Sequence, residues 1–273
     1  MAGTELRVAI AGLGAIGAHL ARALDAGGVQ GLRLAAVAAR DHAKARRTLE
    51  GFRAAPEIVP LATLAEMADI VVEAAPAAVF EEVAEAAIAR GRIFVPSSVG
   101  ALLPRMHLVE RARGTGARIV VPTGALLGLD AVRAAAEGRV ESVTIETRKP
   151  PRGLEGAPYL VENGIDVLAV TGAARMVFKG NAFDAARGFP ANVNVAAALA
   201  LAGIGPERTM VEIWADPGVT RNTHTIRVEA EAARLTMTIE NVPSEENPRT
   251  GKITPLSILA CLRGLTSTLK VGS

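Results

Sequence analysis

Residues 6–17 read LRVAIAGLGAIG. Leu6–Ile10 makes a short apolar strand, and Gly12, Gly14 and Gly17 follow it in G-x-G-x-x-G spacing, at the first strand-to-helix turn of the chain. In that spacing the first glycine permits the tight turn. The second lets a pyrophosphate approach the backbone, and the third lets the helix pack closely on the strand. The first helical N–H groups, at Ala15 and Ile16, then face the phosphates, where the helix dipole also favours negative charge. The plain alternative is a glycine-rich turn in an α/β domain with no ligand.

Outward from this loop, strand and helix alternate. Helix is expected over Ala15–Ala26, Asp41–Leu49 and Ala77–Arg90, the last closed by Gly91. Strands are expected at Leu32–Ala38, Ile70–Ala74, Arg92–Pro96 and Arg118–Pro122. Ile70–Ala74 is apolar apart from Glu73, as when both faces of a strand are buried. The alternation predicts an N-terminal Rossmann domain with a doubly wound parallel sheet over residues 1–122.

From Ser142 the period changes. Ser142–Lys149 alternates with period two, as a half-buried antiparallel strand does. Arg175–Lys179, Met210–Ala215, Thr223–Ala230 and Leu235–Asn241 repeat the character around one helix, Val193–Ala202. These predict a second, α+β domain with an open mixed sheet over 123–253, expected to carry the substrate site. A last helix, from about Thr254 to Thr268, opens with Thr254 as N-cap and Pro255 at the first helical position. Its segment, 254–273, is a candidate to return to the first domain.

The bulk numbers exclude several classes. The 273 residues suit two modest domains. A net charge of +2 with 3% aromatic residues, and no basic run, argues against nucleic-acid binding. The single cysteine, Cys261, excludes an intrachain disulfide. The chain enters its first strand without a secretory signal pattern, and its apolar stretches are too short to span a bilayer. A soluble, cytoplasmic protein without membrane partners is expected.

The end of the second strand bears on the choice of cofactor. An NAD-selective fold places an acid there, about twenty residues past the loop, for the ribose 2′-OH. Here Ala39 holds that position and Arg40 follows, so Arg40 is expected to fork a 2′-phosphate and NADP to be accepted alongside or ahead of NAD. In the other reading Asp41 moves in by one residue and Arg40 points to solvent. Two loops lie at the carboxyl ends of strands, where open α/β sheets bind ligands. One is Glu73–Pro76, offering Ala75 and Pro76 to the cofactor, and the other is Pro96–Ala101.

Four histidines are present: His19, His42, His107 and His224. Only His224 lies in the second domain, near the start of a strand that follows the Asp216-Pro217-Gly218 turn. An ordinary imidazole there suits proton transfer at neutral pH, the alternative being a packed side chain. Asn222, two residues earlier on the same face, would orient the imidazole or the substrate, or would simply leave the turn. Lys149, Ser97, Ser98 and Thr123 are candidates to hold substrate carboxylates, although a lysine at a strand end is more often solvated. Asn194 would donate to the nicotinamide carboxamide or cap the helix near Val195. No cluster has metal-ligand spacing, so no metal is expected.

The chain resembles the L-aspartate dehydrogenase family. The matching stretches are 11–17 (AGLGAIG), 122–130 (PTGALLGLD), 147–151 (TRKPP), 189–195 (FPANVNV), 215–217 (ADP), 222–224 (NTH) and 239–250 (IENVPSEENPRT). They run through nearly the whole chain, and the later ones are far more specific than the glycine loop. The resemblance implies a Rossmann domain, a second domain with the substrate site, and a homodimer. It implies oxidation of L-aspartate to iminoaspartate with NAD or NADP, hydrolysis to oxaloacetate and ammonia, and the reverse amination. It makes the residue matching His224 the active-site histidine, and those matching Ala125 and Asn194 cofactor contacts. The chain departs from the family at Ala39-Arg40, where members often carry an acid. The resemblance leaves the cellular direction open between supply of NAD synthesis and nitrogen metabolism. Two other readings stand behind it. One is a related NADP-dependent imine or oxo-acid reductase acting on another small carboxylate, and the other is an NADP-sensing regulator.

Overall fold

The computed structural model describes residues 5–191, 193–246 and 251–272. They fall into two compact units. The first comprises the chain through Ser98, Arg105–Pro122 and Thr254–Val271, and the second Val99–Pro104 and Thr123–Ile253.

The first unit is built on strands β1 (Leu6–Ala11), β2 (Leu32–Ala38), β3 (Glu57–Ile58), β4 (Ile70–Glu73), β5 (Ile93–Pro96) and β6 (Arg118–Ile119). They form one parallel sheet in the order β3-β2-β1-β4-β5-β6. The strand order reverses between β1 and β4. Val8–Ala11 and all of β4 are buried, as a sheet covered on both faces requires. Helix α1 (Ala15–Asp25) buries Leu20, Ala21 and Leu24, four residues or fewer apart and hence on one stripe. The 77–90 stretch is two elements, a 3₁₀ turn at Ala77–Val79 and an α-helix at Phe80–Ala89. Phe80 meets Phe94 of β5 edge to face at 5.7 Å.

A C-terminal helix, Ile253–Thr266, completes this unit. Its Ile258 and Leu262 are fully buried in the same core as Val8, Ile10, Leu20 and Leu34. Thr266 Oγ1 donates to the Gln30 carbonyl at 2.9 Å, and Arg263 to that of Gly28 at 2.6 Å. The helix starts at Ile253, two residues before the expected first position, so Pro255 is its third residue and still lies inside the first turn, where an N–H has no intrahelical acceptor to lose.

The second unit contains β7 (Val140–Lys149), β8 (Arg175–Asn181), β9 (Thr209–Ala215), β10 (Asn222–Ala230) and β11 (Arg234–Asn241), in the order β11-β10-β7-β9-β8. β7 runs parallel to β9 and antiparallel to β10, so the sheet is mixed. Its apolar face carries Val143, Ile145, Val211, Ile213, Ile226 and Val228, all buried. The helix Asn194–Ala202 packs against β9. Tyr159, Phe178 and Phe189 form a ring cluster with centroids 5.1–5.7 Å apart. The division departs from the sequence reading at Val99–Pro104, which was placed with the first domain and groups with the second. Its helix Val99–Leu102 packs on Asn194–Ala202, and the Gly100 N–H donates to Asn194 Oδ1 at 2.9 Å. Among the described residues no helix is long and apolar enough to cross a membrane.

Candidate active site

The glycine loop is shaped by what it lacks. Gly12 has φ +97°, a conformation an L side chain rarely adopts, and a Cβ there would sit 2.5 Å from the Ala74 carbonyl oxygen. A Cβ on Gly17 would collide with the Gly12 carbonyl oxygen, while Gly14 opens onto free space. Gly14 is also the N-cap residue of α1, and no side chain caps the helix. The loop therefore presents uncapped N–H groups at Ala15 and Ile16 beside an open approach, which fits a pyrophosphate. At the end of β2, Asp41 accepts the Lys44 N–H at 2.9 Å and caps the helix α2 (His42–Thr48). Arg40 is exposed and has no partner among the described residues.

Beside the glycine loop stands Glu73, the last residue of β4, with no exposed surface. Its Oε1 accepts from the Ala75 N–H and the Ser98 hydroxyl, both at 3.0 Å, and its Oε2 from the Ser98 N–H at 2.9 Å. Burial raises its pKa, and these donors oppose the shift. The arrangement binds the Ala75-Pro76 turn to the Ser97-Ser98 turn. It also spends the Ser98 hydroxyl proton on Glu73, so Ser98 has none left for a substrate carboxylate, contrary to the role expected of it.

The apolar face of the second sheet turns polar at one end. Thr147 and Lys149 continue the buried alternation of β7, and β10 sets His224 directly opposite Thr147. Thr147 Oγ1 lies 3.0 Å from His224 Nδ1. The three residues are 4%, 6% and 3% exposed for Thr147, Lys149 and His224. Burial, reinforced by the Lys149 charge, pushes the imidazole down to about 3, and burial pushes the Lys149 ammonium down to about 8. His224 is thus neutral at pH 7, not the ordinary imidazole that its polar neighbours in the sequence suggested. Lys149 is buried, not solvated. A hydroxyl both donates and accepts, so Thr147 can serve either neutral tautomer of the ring. Asn222 is half-buried and pairs in register with Asn241. Asn241 is buried, and its Nδ2 donates to the Ala125 carbonyl at 3.0 Å.

Comparison with known proteins decides the family. The chain is 55% identical to an L-aspartate dehydrogenase of Bradyrhizobium diazoefficiens, across 100% of this chain and 96% of that one. The chain belongs to the L-aspartate dehydrogenase family. L-Aspartate dehydrogenase 3 of Bordetella bronchiseptica is 52% identical over 98% of each chain. The crystal structure of an aspartate dehydrogenase from Thermotoga maritima superposes with a TM-score of 0.72 at 25% identity, covering 98% of this chain and 99% of that one. Residues 130–265 match the family described as aspartate dehydrogenase, C-terminal, and residues 12–122 match the NAD binding domain of homoserine dehydrogenase.

Within this aspartate dehydrogenase family member, the candidates group by unit. Gly12, Gly14, Ala15, Ile16, Gly17, Ala75, Pro76, Ser97 and Ser98 line the carboxyl end of the first sheet, and Arg40 follows β2. Asn222, His224 and Lys149 share the polar end of the second sheet. Thr123 opens the second unit, half-buried. Asn194 is the first residue of its helix and caps nothing there, its Oδ1 being taken by Gly100. Of the family-matching stretches, Asn192 and Asn247–Thr250 lie outside the described residues. Among the described residues one trio has metal-compatible spacing, Glu81, Glu85 and His107, but Arg105 and Arg111 already pair with its two carboxylates.

Two residues had no role in the sequence reading, Thr147 and Glu73. Thr147 shares the alternation of Lys149, but its partner depends on cross-strand register, which no local pattern gives. Glu73 does leave a signal, a lone acid closing an otherwise apolar buried strand.

Proposed function

We propose that this chain oxidises L-aspartate to iminoaspartate with NAD(P)⁺, that the imine is hydrolysed to oxaloacetate and ammonia, and that the enzyme also runs the amination in reverse. The observation that carries this reading is the buried Thr147–His224 pair with Lys149 on the same face, in a chain related to L-aspartate dehydrogenases over its full length. When bound, the nicotinamide supplies the acceptor for the hydride of the substrate Cα. Gly12, Gly14, Ala15, Ile16 and Gly17 would hold the pyrophosphate, and Ala75, Pro76, Ala125 and Asn194 would contact the rest of the cofactor. The exposed, unpartnered Arg40 supports acceptance of NADP, because its guanidinium is available to fork a 2′-phosphate.

Lys149 supplies a fixed cation for a substrate carboxylate, with Ser97, Thr123 and Asn222 as further donors. His224 acts first as a base. Its Nε2 takes a proton from the water that attacks the imine carbon, while Nδ1–H donates to Thr147 Oγ1. The imidazolium then returns that proton to the departing amine. A dicarboxylate substrate offsets the Lys149 charge, which raises the basicity of His224 when it is needed.

The test is NADPH and NADH oxidation with oxaloacetate plus ammonium, against other 2-oxo acids and against no substrate. Turnover with oxaloacetate is expected. Activity on another oxo acid alone would transfer the chain to the related reductases, and cofactor binding without turnover would make it a regulator. A homodimer is part of the same reading, and sedimentation equilibrium measures it. The enzyme is expected in the cytoplasm.

A further inference from the structure

We infer that Glu73 is a positioning residue that gives the cofactor site a preference for the oxidised, cationic nicotinamide over the reduced, neutral one. Three observations support it. β4 lies beside β1 at the point where the strand order reverses, and ligands of open α/β sheets bind in the crevice at that point. Glu73 closes β4 there, and the turn that follows it abuts the glycine loop, with the Ala74 N–H donating to the Ala11 carbonyl at 2.8 Å. The ribose-reading position follows β2 on one side of the reversal, which leaves the β4–β5 side for the nicotinamide half.

The second observation is the set of partners. All the donors to the Glu73 carboxylate are neutral, namely the Ala75 N–H, the Ser98 N–H and the Ser98 hydroxyl. Among the described residues no lysine, arginine or histidine forms an ion pair with it. The third is burial without any exposed surface, which keeps water from screening the charge. Both carboxylate oxygens accept, so the carboxylate form suits the site and a carboxyl proton would displace a donor. A buried anion with neutral partners is a costly arrangement for a structural tie alone, since neutral side-chain acceptors tie turns together without a buried charge. It is useful where a positive charge arrives with the ligand.

The experiment measures dissociation constants of NAD⁺ and NADH for the whole enzyme, by NADH fluorescence and by competition, in wild type and Glu73→Gln. In wild type the ratio of the NAD⁺ constant to the NADH constant is expected to be below one. E73Q is expected to raise that ratio by about tenfold, the scale of one charge acting through a partly screened distance. A purely structural tie would weaken both forms equally, so an unchanged ratio in E73Q overturns the inference. If E73Q does not fold, wild type alone decides, and a ratio of one or above overturns it. The inference rests on the nicotinamide dinucleotide reading of the glycine loop. Failure to bind either form would sink that reading, whereas binding both without preference sinks only this one.

Discussion

At the scale of single residues, the proposed chemistry depends on a histidine kept neutral and a lysine kept near its titration point. Replacing His224 by Asn is expected to lower kcat by about 10²–10⁴-fold, the usual weight of a general acid–base group, with cofactor affinity retained. Replacing Thr147 by Val removes the Nδ1 partner, and about a tenfold loss of kcat is expected, with Thr147→Ser restoring most of it. Steady-state kinetics at saturating cofactor measures both. Lys149 titrates near 8 in the free enzyme, and its cation is present below that pH and lost above it. The pH profile of kcat/KM for aspartate should therefore fall on its alkaline side from about pH 8 in wild type. Lys149→Arg keeps the charge and should move that limb upward. The sequence made His224 and Lys149 visible as residue types at strand ends. Their burial was not visible, because it arises from neighbouring strands, β9 for Lys149 and β7 and β11 for His224, that only the register brings alongside.

At the scale of elements, local pattern was a good guide where one period persisted. The apolar run of β4 and the alternation of β7 each read as strands because burial on two faces or on one imposes its own repeat. Boundaries were less legible. The helix at Val99–Leu102 is four residues long, too short to print a period, and its grouping with the second unit follows from packing on Asn194–Ala202. The split at Ala77–Val79 likewise leaves no mark beyond Pro76. The loop between β2 and α2 carries a prediction of its own. Asp41 is engaged as the cap of α2, and Arg40 stands free of it. Arg40→Ser is expected to cost NADP about 10- to 150-fold in kcat/KM relative to NAD, one charge-assisted pair being worth ~1.5–3 kcal/mol. If the NADP-to-NAD ratio of kcat/KM does not move, Arg40 does not read the 2′-phosphate.

For the whole molecule, the same two buried titratable groups shape stability against pH. His224 is held at about 3 in the folded chain against an ordinary 6.5, so between those values the unfolded chain binds more protons and stability falls as the solution is acidified. Lys149 is held at about 8 against 10.5, so its contribution rises with pH across that window. Thermal melting from pH 7 down to pH 4 should show a shallower decline for His224→Gln than for wild type, and a parallel decline would remove His224 as a source of acid sensitivity. The C-terminal helix anchors the first unit through Ile258 and Leu262, neither of which has exposed surface. Leu262→Ala is expected to cost ~2–5 kcal/mol, measurable by urea denaturation. That helix also sets an order on synthesis. The ribosome delivers residues 6–122 long before Ile258, so the nascent cofactor-binding sheet waits with part of its core uncovered while residues 123–253 of the second unit are made. A chain halted anywhere in that interval holds the glycine loop in an unfinished fold, exposed to chaperones and proteases, and the last helix is the step that ends this vulnerability.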